Sequence, residues 1–334
     1  MTLDKQSIPA YLQRKRLLDR EVPLRVQTIG DGMKNLVFLV WGSQQRWIVK
    51  QALAKVQVKE RWWVDRKRVF AEKNCIEVLH QILPPPVIPE VVLEDRTDFV
   101  LVTTAPPDNA VLWDEELEGG RIDLQIAVQC GELLAAVHNQ TAQQADVRRL
   151  FSDTKAFEQL RTEPLYLRVM QAYPDLKKAV NAQVRHLLKD SRTLVLADLR
   201  PRNVWLSSGQ VFLVDFATAH FGSPSFDLAF YATDLCLKAM NNSIQKAAYL
   251  EAINVFWNAY FRIAEYPTVK ETQKLAVADL GCLLLAATDG RQPATFAEPQ
   301  MADLARRIAQ SLLFTELERI EEITEFANRT LIDG

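Results

Sequence analysis

Residues 193–227 read TLVLADLRPRNVWLSSGQVFLVDFATAHFGSPSFD, and this stretch decides how the rest of the chain is interpreted. Thr193–Leu196 is a short apolar run that stops at the polar loop Asp198-Leu-Arg-Pro-Arg-Asn203. Val204–Leu206 leads to a turn at Ser207-Ser-Gly209, and Val211–Val214 is a second apolar run ending at Asp215. β-Branched and aromatic runs around a Ser/Gly turn predict a β-hairpin. Asp198, Asn203 and Asp215 thus stand where apolar strands stop. Two carboxylates and an amide at the ends of buried strands are costly unless they bind something.

Phosphoryl transfer uses such a set. One Asp accepts the proton of an attacking hydroxyl, while an Asn and a second Asp hold Mg²⁺ on the nucleotide phosphates. Here D-x4-N is Asp198 and Asn203, followed after the next strand by Asp215-Phe216-Ala217. The spacing predicts Asp198 as catalytic base and Asn203 and Asp215 as metal ligands.

On these residues the chain resembles the aminoglycoside phosphotransferase and choline kinase superfamily, small-molecule kinases that share the protein-kinase fold. The segment Phe221-Gly-Ser-Pro-Ser-Phe-Asp-Leu-Ala229 is similar to the superfamily's G-D-P-x-x-D-L-A. That resemblance implies that Asp227 braces the catalytic-loop backbone. It implies ATP and Mg²⁺ as cofactors and a small hydroxylated metabolite as acceptor. It also implies an α+β, bilobal, protein-kinase-like fold, with a small antiparallel β-sheet N-lobe and a mainly helical C-lobe.

Composition bounds the alternatives. At 334 residues the chain suits two lobes rather than one core. A formal charge of −2 without a long Lys/Arg block argues against a nucleic-acid partner. No apolar run is long enough to span a bilayer, and no signal peptide is visible, so no membrane association is expected. Cys75, Cys130, Cys236 and Cys282 are scattered without a C-x-x-C, which predicts buried reduced thiols in a cytoplasmic protein.

Towards the amino terminus, Ser7–Arg20 has the pattern of an amphipathic helix. Leu24–Ile29, Leu36–Trp41 and Arg46–Val49 then read as three strands. The first turn, Gly30-Asp31-Gly32-Met33-Lys34-Asn35, would drape over phosphates, because glycines let backbone N–H groups approach anions. The same turn could serve any hairpin. Gly30, Gly32 and Asn35 are the candidate contacts. Lys50 closes the third strand at the place of the kinase lysine that reaches the nucleotide phosphates, unless it is a plain surface lysine. Its expected partner is Glu72, ahead of Glu77 and Glu60. The run from Thr28 to Leu53 also resembles the start of bacterial methylthioribose kinases, which share G-D-G-x-x-N and V/I-K-Q-A-L. The catalytic segment departs from theirs, so the substrate does not carry over.

Leu83-Pro-Pro-Pro86 breaks the helix that carries Glu72. Val87–Leu93 and Phe99–Thr103 read as two further strands. The second reaches the position of the inter-lobe hinge, where Thr103 and Ala105 would bond the adenine edge. The lobe boundary is expected near Pro107, giving an N-lobe of 1–106 and a C-lobe of 107–334. Beyond it, Asp123 caps a long helix carrying His138, read as a packed, hydrogen-bonded histidine. Helices are expected over Phe157–Met170, Leu176–Leu188, Phe230–Met240, Ile244–Tyr266, Val269–Ala287 and Ala302–Leu313. A last one, capped at Thr315, would carry Leu317, Ile320, Ile323 and Phe326. Phe256, Trp257, Tyr260 and Phe261 are core or pocket lining; Arg291 is an exposed turn arginine or a substrate contact.

Two positions depart from the superfamily pattern. Leu196-Ala197 replaces the His-Gly or His-Asn that usually precedes the catalytic Asp, and Ser223 replaces the Asp of G-D-P. These departures leave open a rival reading, a pseudokinase-type nucleotide-binding or interaction module without turnover. Arg200 and Arg202 add positive charge beside the site, either to steady the γ-phosphate or as a solvated loop edge.

Overall fold

A computed structural model of the chain describes residues 1–18, 23–42, 45–314 and 324–325. The first hundred residues form a five-stranded antiparallel sheet, β1 (Arg25–Ile29), β2 (Asn35–Trp41), β3 (Arg46–Ala52), β4 (Val91–Asp95) and β5 (Val100–Thr104). Its order is β1-β2-β3-β5-β4. Alternation along β5 sends Val100 and Val102 to one face and Leu101 to the other. On the first face sits the helix Ser7–Arg14, burying Ile8, Tyr11 and Leu12 against Phe38, Val40 and Val49. Each such side chain contributes about 1.5–3 kcal/mol. The helix Arg68–Leu79 packs on the second face through Val69, Ile76 and Leu79.

The remainder is helical around small β pieces. β6 (Val111–Leu112), β8 (Val204–Ser207) and β9 (Gln210–Leu213) form one antiparallel sheet. β7 (Thr193–Val195) pairs with β10 (His220–Gly222). The helix Leu124–Thr141 runs against Lys246–Ile263 so closely that a Cβ on Gly131 would stand 2.3 Å from the Phe256 carbonyl oxygen. Only glycine fits there. Lys177–Lys189, Ser225–Asn241, Val269–Asp289 and Pro299–Phe314 are further helices of this half. Among the described residues no helix is long and apolar enough to cross a membrane.

Several boundaries differ from expectation, each for a local reason. The first helix stops at Arg14 rather than Arg20. Arg16 adopts φ 60°, and the N–H groups of Arg16 and Leu17 turn back onto the Gln13 and Leu12 carbonyls, a left-handed helix stop. The strand expected from Val87 starts only at Val91, after Pro89. The helix expected over Phe157–Met170 contains a π-helical stretch, Glu158–Leu167, around Pro164, which has no N–H to give. The helix expected from Phe230 starts at Ser225, so Asp227 lies in its first turn. The helix expected from Thr315 lies outside the described residues, as does Phe326.

Candidate active site

The polar loop predicted from residues 198–203 closes as a short 3-10 turn, Pro201–Asn203. It is held from behind. Asp227 Oδ1 accepts the N–H of Ala197 at 2.6 Å and Oδ2 accepts that of Leu196 at 2.8 Å. The same Oδ2 lies 3.2 Å from His138 Nε2, whose Nδ1 lies 2.7 Å from the Tyr260 hydroxyl, itself 2.8 Å from that of Tyr266. A carboxylate only accepts, so the network assigns the ring proton to Nε2. His138 is thus a packed, hydrogen-bonded histidine, and its partner is the loop-bracing carboxylate. Phe256, Trp257 and Tyr260 are core.

Asp198 is buried at the front of this loop. Its Oδ2 is 3.0 Å from Arg161 Nη2 and its Oδ1 is 3.1 Å from Arg200 Nε. Burial opposes ionisation, but Arg161 and Arg200 outweigh it and hold the carboxyl below its ordinary value. The Oδ1 contact lacks hydrogen-bond geometry, so this buried oxygen keeps a free acceptor site. Arg161 also donates from Nε to the Ala197 carbonyl at 2.8 Å, and its guanidinium stacks on Phe230 at 5.0 Å. The sequence gives no signal for Arg161. It sits on the π-helical stretch, where neither spacing nor motif marks it.

Asn203 donates its side-chain N–H to the Asp198 carbonyl at 2.9 Å, which leaves its amide oxygen available as an acceptor or metal ligand. Lys50 Nζ lies 2.7 and 2.9 Å from the two Glu72 oxygens and 3.0 Å from Asp215 Oδ1. Glu77 instead pairs with Lys73, and Glu60 with Arg168 and Arg291. Burial disfavours the Lys50 ammonium, yet Asp215 and Glu72 raise its pKa. Burial likewise disfavours the Asp215 carboxylate, and Lys50 more than compensates, holding it well below the usual range. Asp215 adopts φ 67°, a left-handed turn that aims its carboxylate back at the lysine.

Lys50, Glu72, Asn203, Asp215, Gly30 and Thr103 line one cleft. Ile29, Val37 and Ile48 from the sheet face Trp205 and Val214 across it, an apolar slot for a flat ring. The amide oxygen of Asn203 and the carboxylate of Asp215 are hard donors that suit Mg²⁺, which takes few protein ligands and completes its shell with phosphates and water. Gly32 and Asn35 do not line the cleft. Gly32 keeps the turn's left-handed φ of 66°, while Asn35 Oδ1 accepts from Arg68 at 2.9 Å. Ala105 is also displaced from its expected task, since its N–H donates to the Arg46 carbonyl at 3.0 Å. The Thr104 N–H goes to the Glu90 carbonyl, and Pro106 and Pro107 have none. Residues 104–107 therefore offer no free backbone N–H.

A second cavity of about 410 Å³ adjoins the loop on the side of Arg161 and Arg200. Trp62 lines it from the sheet half, on a segment closed by a bridge between Lys55 and Trp63. Trp62 donates its ring N–H to the Gln159 carbonyl at 2.9 Å and carries Arg291 on its face at 4.5 Å. Arg291, expected as an exposed turn residue or a substrate contact, is a clamp instead, 3.0 Å from Glu60.

The comparisons agree with this architecture. The methylthioribose kinase of Bacillus cereus (strain G9842) is 26% identical over 249 residues, covering 66% of this chain and 63% of that protein. That of Cronobacter sakazakii (strain ATCC BAA-894) is 27% identical over 236 residues, covering 62% and 59%. The chain thus spans less than two thirds of these relatives' length. Among solved structures, amicoumacin kinase hAmiN in complex with AMP-PNP, Ca²⁺ and Ami superposes with a TM-score of 0.57 at 15% identity, over 93% of each chain. That likeness carries the kinase-like fold. The family model described as "Phosphotransferase enzyme family" matches residues 25–271, and the chain belongs to that family.

Proposed function

We propose that this chain is an ATP-dependent small-molecule kinase that transfers the γ-phosphate to a hydroxyl of a sugar, amino alcohol or related metabolite. One observation carries the reading: the buried Oδ1 of Asp198 keeps a free acceptor site, on the loop whose Asn203 lines the Lys50–Asp215 cleft and whose Arg200 lines the second cavity. In this reading ATP occupies the cleft, with Lys50 on its phosphates and Glu72 orienting Lys50. Asn203 and Asp215 hold Mg²⁺, which neutralises charge on the phosphate oxygens. Asp198 orients the acceptor hydroxyl and takes its proton as the oxygen–phosphorus bond forms and ADP leaves with the bridging oxygen. Asp227 keeps the loop in place. The lobes divide near Pro107, into 1–106 and 107–334, and the four free, buried thiols suit a cytoplasmic setting.

The test is Mg²⁺-dependent ADP release from ATP across a panel of hydroxylated metabolites, with methylthioribose first because of the named relatives, and choline, homoserine and aminoglycosides beside it. Asp198→Ala runs in parallel. The expected result is an acceptor-stimulated rate that Asp198→Ala abolishes. Folded protein that neither releases ADP nor gains thermal stability from nucleotide would overturn the reading.

A further inference from the structure

The lining of the second cavity is unusual in its charge. Lys34, Arg161, Arg200 and Arg202 face it, against a single lining carboxylate, Asp234, with Asp198 behind the guanidinium groups. Two of these cations are spoken for. Arg161 pairs with Asp198, and Arg200 pairs with Asp198 and lies 3.6 Å from Asp234; both stack on Phe230. Lys34 and Arg202 form no ion pair among the described residues. Lys34 is half-buried, and its backbone is fixed by the Leu53 N–H on its carbonyl.

Lys34, Arg161 and Arg200 line the second cavity and not the nucleotide cleft; only Arg202 borders both. The cleft already has Lys50 and its oxygen donors. Arg161 and Arg200 have Asp198 and Asp234 as partners, whereas half-buried Lys34 and exposed Arg202 have no ion pair among the described residues and would attract an anion that enters the cavity. Burial and the neighbouring Arg161 push the Lys34 pKa down to about 8, and Asp198 offsets only part of that fall. The far wall is different in kind. Pro164, Leu283, Ala286 and Ala287 make it apolar.

We propose that Lys34 and Arg202 form an anion subsite in the acceptor cavity, so that the acceptor carries a phosphate or carboxylate in addition to the hydroxyl it presents to Asp198. The rest of its skeleton lies on the apolar wall. This rests on the kinase reading and narrows it. A neutral sugar or a cationic amino alcohol or aminoglycoside leaves Lys34 and Arg202 uncompensated, whereas a phosphorylated or carboxylated polyol pairs with them through charge-assisted hydrogen bonds.

The experiment uses the full chain saturated with Mg²⁺ and AMP-PNP, so that the γ-phosphate position is filled. Inorganic phosphate, acetate and neutral ribose are then titrated at constant ionic strength by calorimetry. Phosphate or acetate should bind and ribose should not, and the stronger of the two anions identifies the group. Lys34→Met and Arg202→Met should each weaken that binding about tenfold or more, the loss expected of one charge-assisted bond. No anion binding, or binding that neither substitution changes, would overturn the proposal. So would a loss in Lys34→Met of AMP-PNP affinity alone, which would assign Lys34 to the nucleotide. If AMP-PNP itself does not bind, the kinase reading fails separately, and the same titration of the bare chain still decides the anion site.

Discussion

The Asp227 carboxylate accepts the backbone N–H of Ala197 at 2.6 Å, and Ala197 stands at φ 60°. A left-handed alanine costs about 1–2 kcal/mol relative to its relaxed conformation, and glycine or asparagine costs less. The superfamily's H-G-D and H-N-D place one of those two residues here. Ala197→Gly should therefore raise stability by about 1 kcal/mol. Asp227→Ala should lower it by about 3 kcal/mol or more, leaving two buried N–H groups and His138 Nε2 unpaired. Urea unfolding of the three proteins checks both, and a destabilised Ala197→Gly would refute the account of the loop.

Lys50 neutralises two carboxylates at once, the buried Glu72 and the half-buried Asp215. Lys50→Met leaves Glu72 and Asp215 facing each other without a cation, at an expected cost of about 3–5 kcal/mol. Adding Glu72→Gln should recover much of that loss while phosphotransfer stays abolished. Thermal unfolding and ADP release on the single and double variants separate the structural share from the catalytic one.

Asp279 sits fully inside the helical half, accepting from the Ser225 hydroxyl at 2.7 Å and the Tyr166 hydroxyl at 3.0 Å. Burial raises its pKa from 3.8 to about 7, and the two hydroxyls offset only part of that rise. The folded value lies above the unfolded one, so the native state keeps a proton the unfolded chain releases. Its stabilising contribution is complete below pH 3.8 and is lost as pH rises to about 7, a change on the order of 4 kcal/mol. Asp279→Asn keeps both hydroxyl partners without the titration. Its stability should lack that fall between about pH 4 and pH 7, which urea unfolding across the range will reveal.

Trp62 links the two halves of the chain over the acceptor cavity. Trp62→Ala removes the platform for Arg291 and the bond to Gln159. The expected effect is a rise of about tenfold in KM for the acceptor, with KM for ATP nearly unchanged. Steady-state kinetics with each substrate varied in turn measures this. An equal rise in both constants would mean that Trp62 serves the nucleotide as well.

Much of this molecule was legible in order along the chain. The hairpin of β8 and β9 follows from apolar runs around Ser207-Ser-Gly209, and the 3-10 turn at Pro201 joins Asp198 to Asn203 within five residues. Those features depend on local spacing and turn chemistry, which a sequence states directly. The family motifs that place Asp198, Asn203, Asp215 and Asp227 are of the same kind.

Other facts depend on which elements meet. Sequence ranked Glu72 above Glu77 and Glu60 as the partner of Lys50, but only the packing of Arg68–Leu79 on the sheet brings its carboxylate to 2.7 Å. Ala105 sits at the end of the right strand, yet the pairing of β3 with β5 commits its N–H to Arg46. Arg161 reaches Asp198 from a π-helical turn far back in the chain, and Lys34 reaches the same cavity from a hairpin on the other side. A sequence fixes local conformation through short-range sterics and hydrogen bonds. Which cation faces which carboxylate depends on long-range packing, and no spacing along the chain records it.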